Sequence, residues 1–258
     1  MSLIESIILG IIQGLTEFLP VSSSGHLILF QHLMGQKDVP LLFDVLLHVA
    51  SLVAVLIFFR KKIFSLIEGI AIKREDRSIR EVIMITISTA VTVAMVVFTK
   101  PALMHIREHP KILGFTFIFT ALILIVANYL MKRIKEDKAV TVKDALFIGF
   151  FQGLAVLPGI SRSGSTIAAA LFRKIPGEKA VEYSFLLAIP AIGGAMVLEI
   201  FKGEWGTIEL IPVVAGFTTS LIGSLLALKL LVIMVRKTIL LPFALYLFFL
   251  SVSVFVFK

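Results

Sequence analysis

Apolar residues fall in long blocks separated by short charged stretches, and the blocks set the expected elements. Residues 41–59, 82–99, 112–131, 181–201, 210–234 and 239–257 are each long enough to cross a bilayer as a helix, which predicts six crossings. Two further apolar regions are interrupted, residues 3–34 at Pro20-Val21-Ser22-Ser23-Ser24-Gly25 and residues 144–172 at Pro158-Gly159-Ile160-Ser161-Arg162-Ser163-Gly164. Each reads as a helix-break-helix hairpin. Ser22 to Met34 spans only about 20 Å as a helix against roughly 30 Å of hydrocarbon, and Ser163 to Phe172 is shorter still, so both second halves are expected to be re-entrant. Backbone that leaves helix at membrane depth needs protein or a wet cavity to satisfy it, so the breaks should line a polar site.

The breaks repeat each other. At an offset of 139 residues, Gly10, Gln13, Gly14, Leu15, Ser22, Ser24 and Gly25 match Gly149, Gln152, Gly153, Leu154, Ser161, Ser163 and Gly164. Each hairpin precedes three crossings, and an odd number of crossings inverts the second half relative to the first. The expected fold is an all-α polytopic membrane protein. One membrane domain, residues 1–258, is built from inverted-topology repeats over 1–131 and 144–257, each a re-entrant hairpin plus three transmembrane helices.

Composition agrees: 58% hydrophobic residues, 16% charged residues and a mean hydropathy of +1.02 exclude a water-facing fold. The apolar N-terminal stretch lacks a basic leading region and carries Glu5, Gln13 and Glu17, so it reads as retained and not as a cleaved signal. There is no cysteine, hence no disulfide and no thiolate chemistry. The net charge of +8 lies between the apolar blocks, where orientation signals belong, so nucleic acid is not an expected partner. Stretches 60–81, 132–143, 173–180 and 235–238 carry 17 Lys or Arg against 6 in 35–40, 100–111, 202–209 and the C-terminus. Assigning the richer set to the cytoplasm places both termini on the outer face and brings the hairpin tips in from opposite sides.

The tips carry the chemistry. Ser22 or Ser23 and Ser161 or Ser163 suit helix N-caps, so free N–H groups of two half-helices would face one cavity, an anion site. Arg162 adds a permanent charge and a planar fork for phosphate oxygens, with Ser22, Ser24, Ser161, Ser163 and Thr166 as further donors. Glu17, one turn after Gln13, can hold Mg²⁺ or Ca²⁺ with the Gln13 amide oxygen, or act as a base. His26, three residues after Ser23, permits a nucleophile and base pair. Asp44 and His48, one turn apart, and Gln152, the repeat partner of Gln13, are candidate supports behind these groups, although Asp44 and His48 could merely satisfy each other. His32 is expected to contact the interface, and Glu182 and Glu199 to reach headgroups or loops.

The stretches Gln13-Gly14-Leu15-Thr16-Glu17-Phe18-Leu19-Pro20-Val21-Ser22-Ser23-Ser24-Gly25-His26 and Pro158-Gly159-Ile160-Ser161-Arg162-Ser163-Gly164-Ser165-Thr166 closely resemble the two signatures of bacterial undecaprenyl-diphosphate phosphatases of the bacitracin-resistance type. The resemblance covers essentially the whole chain. It implies a hydrolase of the inner membrane that removes the terminal phosphate of a C55 polyprenyl diphosphate with a divalent cation, through a site open to the outside. On matching positions it makes Glu17, Ser23, His26, Ser161, Arg162 and Thr166 the functional set. Family members often carry Glu where this chain has Gln13, which leaves Glu17 as the acid common to both. The expected partners are the lipid substrate and the bilayer, with room for a homodimer. Architecture alone would also suit a transporter or flippase of an anionic lipid.

Overall fold

A computed structural model describes residues 1–33, 41–134, 137–202 and 209–256. Part of the charge-asymmetry argument, on residues 35–40, Lys135, 203–208 and Lys258, lies outside the described residues, as does the side chain of Glu199. The regular elements among the described residues are all helices, with no strand: α1 (Leu3–Phe18), α2 (Ser23–Leu33), α3 (Leu41–Phe58), α4 (Arg60–Ala71), α5 (Asp76–Glu108), α6 (Leu113–Met131), α7 (Val142–Leu154), α8 (Arg162–Phe172), α9 (Gly177–Lys202), α10 (Leu210–Arg236) and α11 (Leu241–Val256).

Both interrupted regions are hairpins of short helices. The residue before a proline is pushed to extended backbone, and Leu19 before Pro20 ends α1 that way, at φ −63° and ψ 144°. Both hairpins also start alike. Ser2 and Glu5 form a reciprocal capping box on α1, and Thr141 and Asp144, each 139 residues later, form one on α7. α2 and α8 have 11 residues each, about 16 Å of helix, too short to cross.

The crossings differ from the expected six. Residues 76–106, 110–131, 177–198 and 210–236 are each long and apolar enough to span. α3 occupies the expected 41–59 stretch and bends by 70° into α4 after Phe58, and the pair is together apolar enough to count as a fifth, broken span. Arg60, Lys61 and Lys62 follow the bend, and three consecutive cations cannot continue a lipid-facing helix. α4 lies in a stretch expected to be loop. α11 has 16 residues, about 24 Å, short for a full crossing.

Packing is cross-paired: α1 lies along α10, α7 along α5, α6 against α11, and α3 between α10 and α9. Gly10 and Gly14 sit directly on the backbone of α10 at Gly216 and Ser220, and their repeat partners Gly149 and Gly153 sit on α5 at Ser88 and Met95, so a Cβ at any of the four would collide. Small residues at such crossings let helices approach without a hydrophobic drive between them. Phe18, Phe43, Phe117 and Phe185 are fully buried, while Phe98, Phe201, Leu210 and Phe249 are strongly exposed. An apolar exterior around a packed interior is the arrangement of a multi-pass membrane protein.

Candidate active site

The breaks between α1 and α2 and between α7 and α8 meet. The amide of Gly159 donates to Ser22 Oγ across the two breaks at 3.1 Å, with Ser22 (φ 69°) and Gly159 (φ 86°) both in the left-handed region. Gly can take that backbone freely, whereas Ser22 is held there at a cost of order 1–3 kcal/mol. Ser161 caps α8, accepting from the Gly164 amide at 3.0 Å, and its own N–H donates to Thr120 Oγ1 at 3.1 Å.

A cavity of about 710 Å³ opens beside this junction, lined by residues of both hairpins and of α3 and α9, among them Glu17, Ser22, Ser23, Ser24, Gln31, His32, Asp44, His48, Pro158 and Arg162. Glu17 is part of its lining. Its Oε2 accepts from Ser23 Oγ at 2.6 Å and from Gln13 Nε2 at 3.1 Å, and its Oε1 accepts from Arg162 Nη2 at 3.0 Å. Arg162 also donates through Nη1 to the Ser184 carbonyl at 3.4 Å, and its guanidinium carbon stands 5.8 Å from the centre of the Phe18 ring. A carboxylate, a hydroxyl and a guanidinium thus share one wall, and a buried Arg–Glu pair with these added hydrogen bonds is satisfied away from water.

Several expected placements differ. His26 does not face Ser23: its Nδ1 donates to the Ser22 carbonyl at 2.7 Å, and its Nε2 pairs with the Tyr246 hydroxyl at 2.7 Å, the two rings stacked with centroids 5.6 Å apart. His26 is buried and forms no part of the cavity wall. The partner of Ser23 is Glu17, which reaches it because the break folds residue 17 back onto residue 23. Ser161, Ser163 and Thr166 are fully buried behind the wall. The Ser163 hydroxyl donates to the Leu19 carbonyl at 3.2 Å, and Thr166 Oγ1 pairs with Ser184 Oγ at 2.6 Å. Gln152 is turned to α5, donating to Thr92 Oγ1 at 3.0 Å. His32 lines the cavity instead of only meeting an interface, and Glu182 pairs with Lys62 Nζ at 2.9 Å.

Gln13 and Glu17, the pair expected to share a cation, are hydrogen-bonded to each other. Gln13 is fully buried, turns its N–H₂ to Glu17 and leaves Oε1 without a partner, while no three His, Asp or Glu side chains converge among the described residues. Asp44 and His48 do reach the cavity. His48 Nδ1 donates to the Asp44 backbone carbonyl at 2.8 Å, and its Nε2 lies 3.9 Å from Glu17 Oε2. Gln31 Nε2 donates to Asp44 Oδ1 at 3.3 Å. Tyr246, Ser184, Thr120 and Gln31 were not foreseen, because nothing local in the sequence couples them to residues up to 220 positions away.

Fold and site together define a multi-pass membrane protein whose polar cavity, between two broken helices, combines a hydroxyl, a carboxylate and a guanidinium. Residues 6–253 match the family described as bacitracin resistance protein BacA, and the chain belongs to that family. It is 40% identical to the undecaprenyl-diphosphatase of Treponema denticola over 96% of this chain and 94% of that protein. It is likewise 40% identical to the undecaprenyl-diphosphatase of Carboxydothermus hydrogenoformans over 99% and 97%. Its identity with the one from Methanococcus maripaludis is 38%, over 85% and 87%.

Proposed function

We propose that this protein hydrolyses undecaprenyl diphosphate to undecaprenyl phosphate and inorganic phosphate, recycling the lipid carrier of cell-wall glycans in the bacterial cytoplasmic membrane. The observation that carries the reading is the Ser23–Glu17–Arg162 set on the cavity wall. Ser23 Oγ attacks the terminal phosphorus and gives its proton to Glu17 Oε2, already 2.6 Å away. Arg162 and the N–H groups at the start of α2 hold the charge that spreads over the transferring oxygens. Positioning and electrostatics supply most of the rate, and the prenyl tail stays in lipid. Hydrolysis of the resulting phosphoserine completes the cycle.

A divalent cation, Mg²⁺ or Ca²⁺, belongs to the same proposal. It is assigned to the diphosphate, whose phosphate charge it would neutralise. The proposal also has both termini outside, supported by the distribution of Lys and Arg. Residues 1–131 and 144–257 are taken as inverted repeats, supported by the matching capping boxes and by the matching seats of Gly10 and Gly14 on α10 and of Gly149 and Gly153 on α5.

The test is phosphate release from undecaprenyl diphosphate by purified protein with Mg²⁺. Release abolished in Arg162→Ala and Glu17→Ala is the expected result. Metal-dependent lipid movement in sealed vesicles without phosphate release would replace the reading with a flippase.

A further inference from the structure

Two histidines lie near the hairpin tips, and their surroundings divide them. His26 has both ring nitrogens engaged and is 2% exposed. Among the described residues His48 engages only Nδ1 in a hydrogen bond, and its side chain is 35% exposed, on the cavity wall. The partner of that Nδ1 is the Asp44 backbone carbonyl, which can only accept, so Nδ1 carries the proton. In the neutral ring Nε2 therefore holds a lone pair. It lies 3.9 Å from Glu17 Oε2, beyond a hydrogen bond, and the same carboxylate oxygen accepts from Ser23 Oγ at 2.6 Å. Nucleophile and imidazole thus flank one carboxylate oxygen, and a phosphoryl group on Ser23 would occupy the open side that His48 faces.

We propose that His48 is the catalytic base of the second half-reaction, removing a proton from the water that attacks phosphoserine 23. The inference rests on the phosphatase reading with Ser23 as nucleophile. In the first half-reaction the Ser23 O–H bond breaks, its proton goes to Glu17, an O–P bond forms, and undecaprenyl phosphate leaves with the bridging oxygen. In the second, one O–H bond of water breaks, its proton goes to His48 Nε2, and the water oxygen bonds phosphorus. The P–O bond to Ser23 then breaks, Glu17 returns its proton to Ser23 Oγ, and His48 loses its proton to cavity water. Separate residues serve the two steps because Glu17 is protonated when the water must be deprotonated. General-base assistance of this kind contributes about 10²–10⁴-fold.

The experiment compares wild type, His48→Gln and His48→Ala with undecaprenyl diphosphate labelled at the terminal phosphate. It follows undecaprenyl phosphate in the first turnover, steady-state phosphate release, and acid-stable label on Ser23. Both variants are expected to complete the first turnover at close to the wild-type rate, to release phosphate about 100-fold more slowly, and to accumulate label on Ser23. Added imidazole should restore His48→Ala about tenfold or more by filling the vacated space. Steady-state release within fivefold of wild type in both variants overturns the proposal. So does a first turnover slowed as much as the steady state, or slow release without label on Ser23. Wild-type protein that releases no phosphate overturns the phosphatase reading and this inference together, whereas an active, labelled wild type with unaffected His48 variants overturns the inference alone.

Discussion

Ser23 Oγ donates to Glu17 Oε2 at 2.6 Å, a contact between residues six positions apart that exists only because the chain breaks between them. In a continuous helix, residues six apart point to different faces, so the Pro20 break is what creates the pair. Removing the hydroxyl should therefore remove chemistry more than binding. Ser23→Ala is expected to lose nearly all turnover while still binding undecaprenyl diphosphate. Retention of a tenth or more of wild-type kcat would instead leave the attack to water directed by Glu17.

Arg162 forks between Glu17 Oε1 and the Ser184 carbonyl, over the face of Phe18. Lysine keeps the charge and loses the planar fork. Arg162→Lys should lower kcat/KM by an amount worth about 2–4 kcal/mol, comparable to losing an oxyanion donor. Thermal unfolding of the detergent-solubilised protein should change little, and near wild-type turnover would mean that charge alone is required.

Tyr246 holds the edge of His26, and His26 holds the Ser22 carbonyl at the break. Tyr246→Phe keeps the stacked ring and deletes one neutral hydrogen bond, worth about 0.5–1.5 kcal/mol. A small loss of thermal stability with activity reduced less than tenfold is expected. His26→Ala removes both contacts and leaves a cavity beside Phe117, whose ring lies edge-on to His26 with centroids 5.7 Å apart, so it should lower stability and activity together. A loss of activity in His26→Ala with unchanged stability would return a direct chemical role to His26.

Gly10 and Gly149 take equivalent seats on α10 and α5. Gly10→Leu and Gly149→Leu should each destabilise the fold through overpacking by about 1–3 kcal/mol or more, and to a similar degree. Unfolding of both variants in detergent measures this, and tolerance of either would show that its helix crossing can open.

The orientation is testable with single cysteines in a chain that has none. Arg77→Cys should be protected from an impermeant thiol reagent in intact cells and Gly206→Cys should react. The reverse pattern would place both termini in the cytoplasm.

Hydrophobic patterning by itself determined that the chain is a helical membrane protein with two broken hairpins, because bilayer thickness and proline chemistry act on local sequence. The cluster Glu17, Ser23 and Arg162 was legible too, since its motifs lie in short stretches. Two features were decided only by tertiary structure. The facing of His26 and His48 follows from the helices each lies against: spacing alone put His26 beside Ser23, but α11 supplies Tyr246 and draws the ring away, while α3 presents His48 to the cavity. The serines and threonine of the second break were read as ligands because hydroxyls suit phosphate. In the fold, Ser161, Ser163 and Thr166 are buried and satisfy backbone and side-chain groups of the junction, since a polar group buried in a membrane protein must first find a partner among its neighbours.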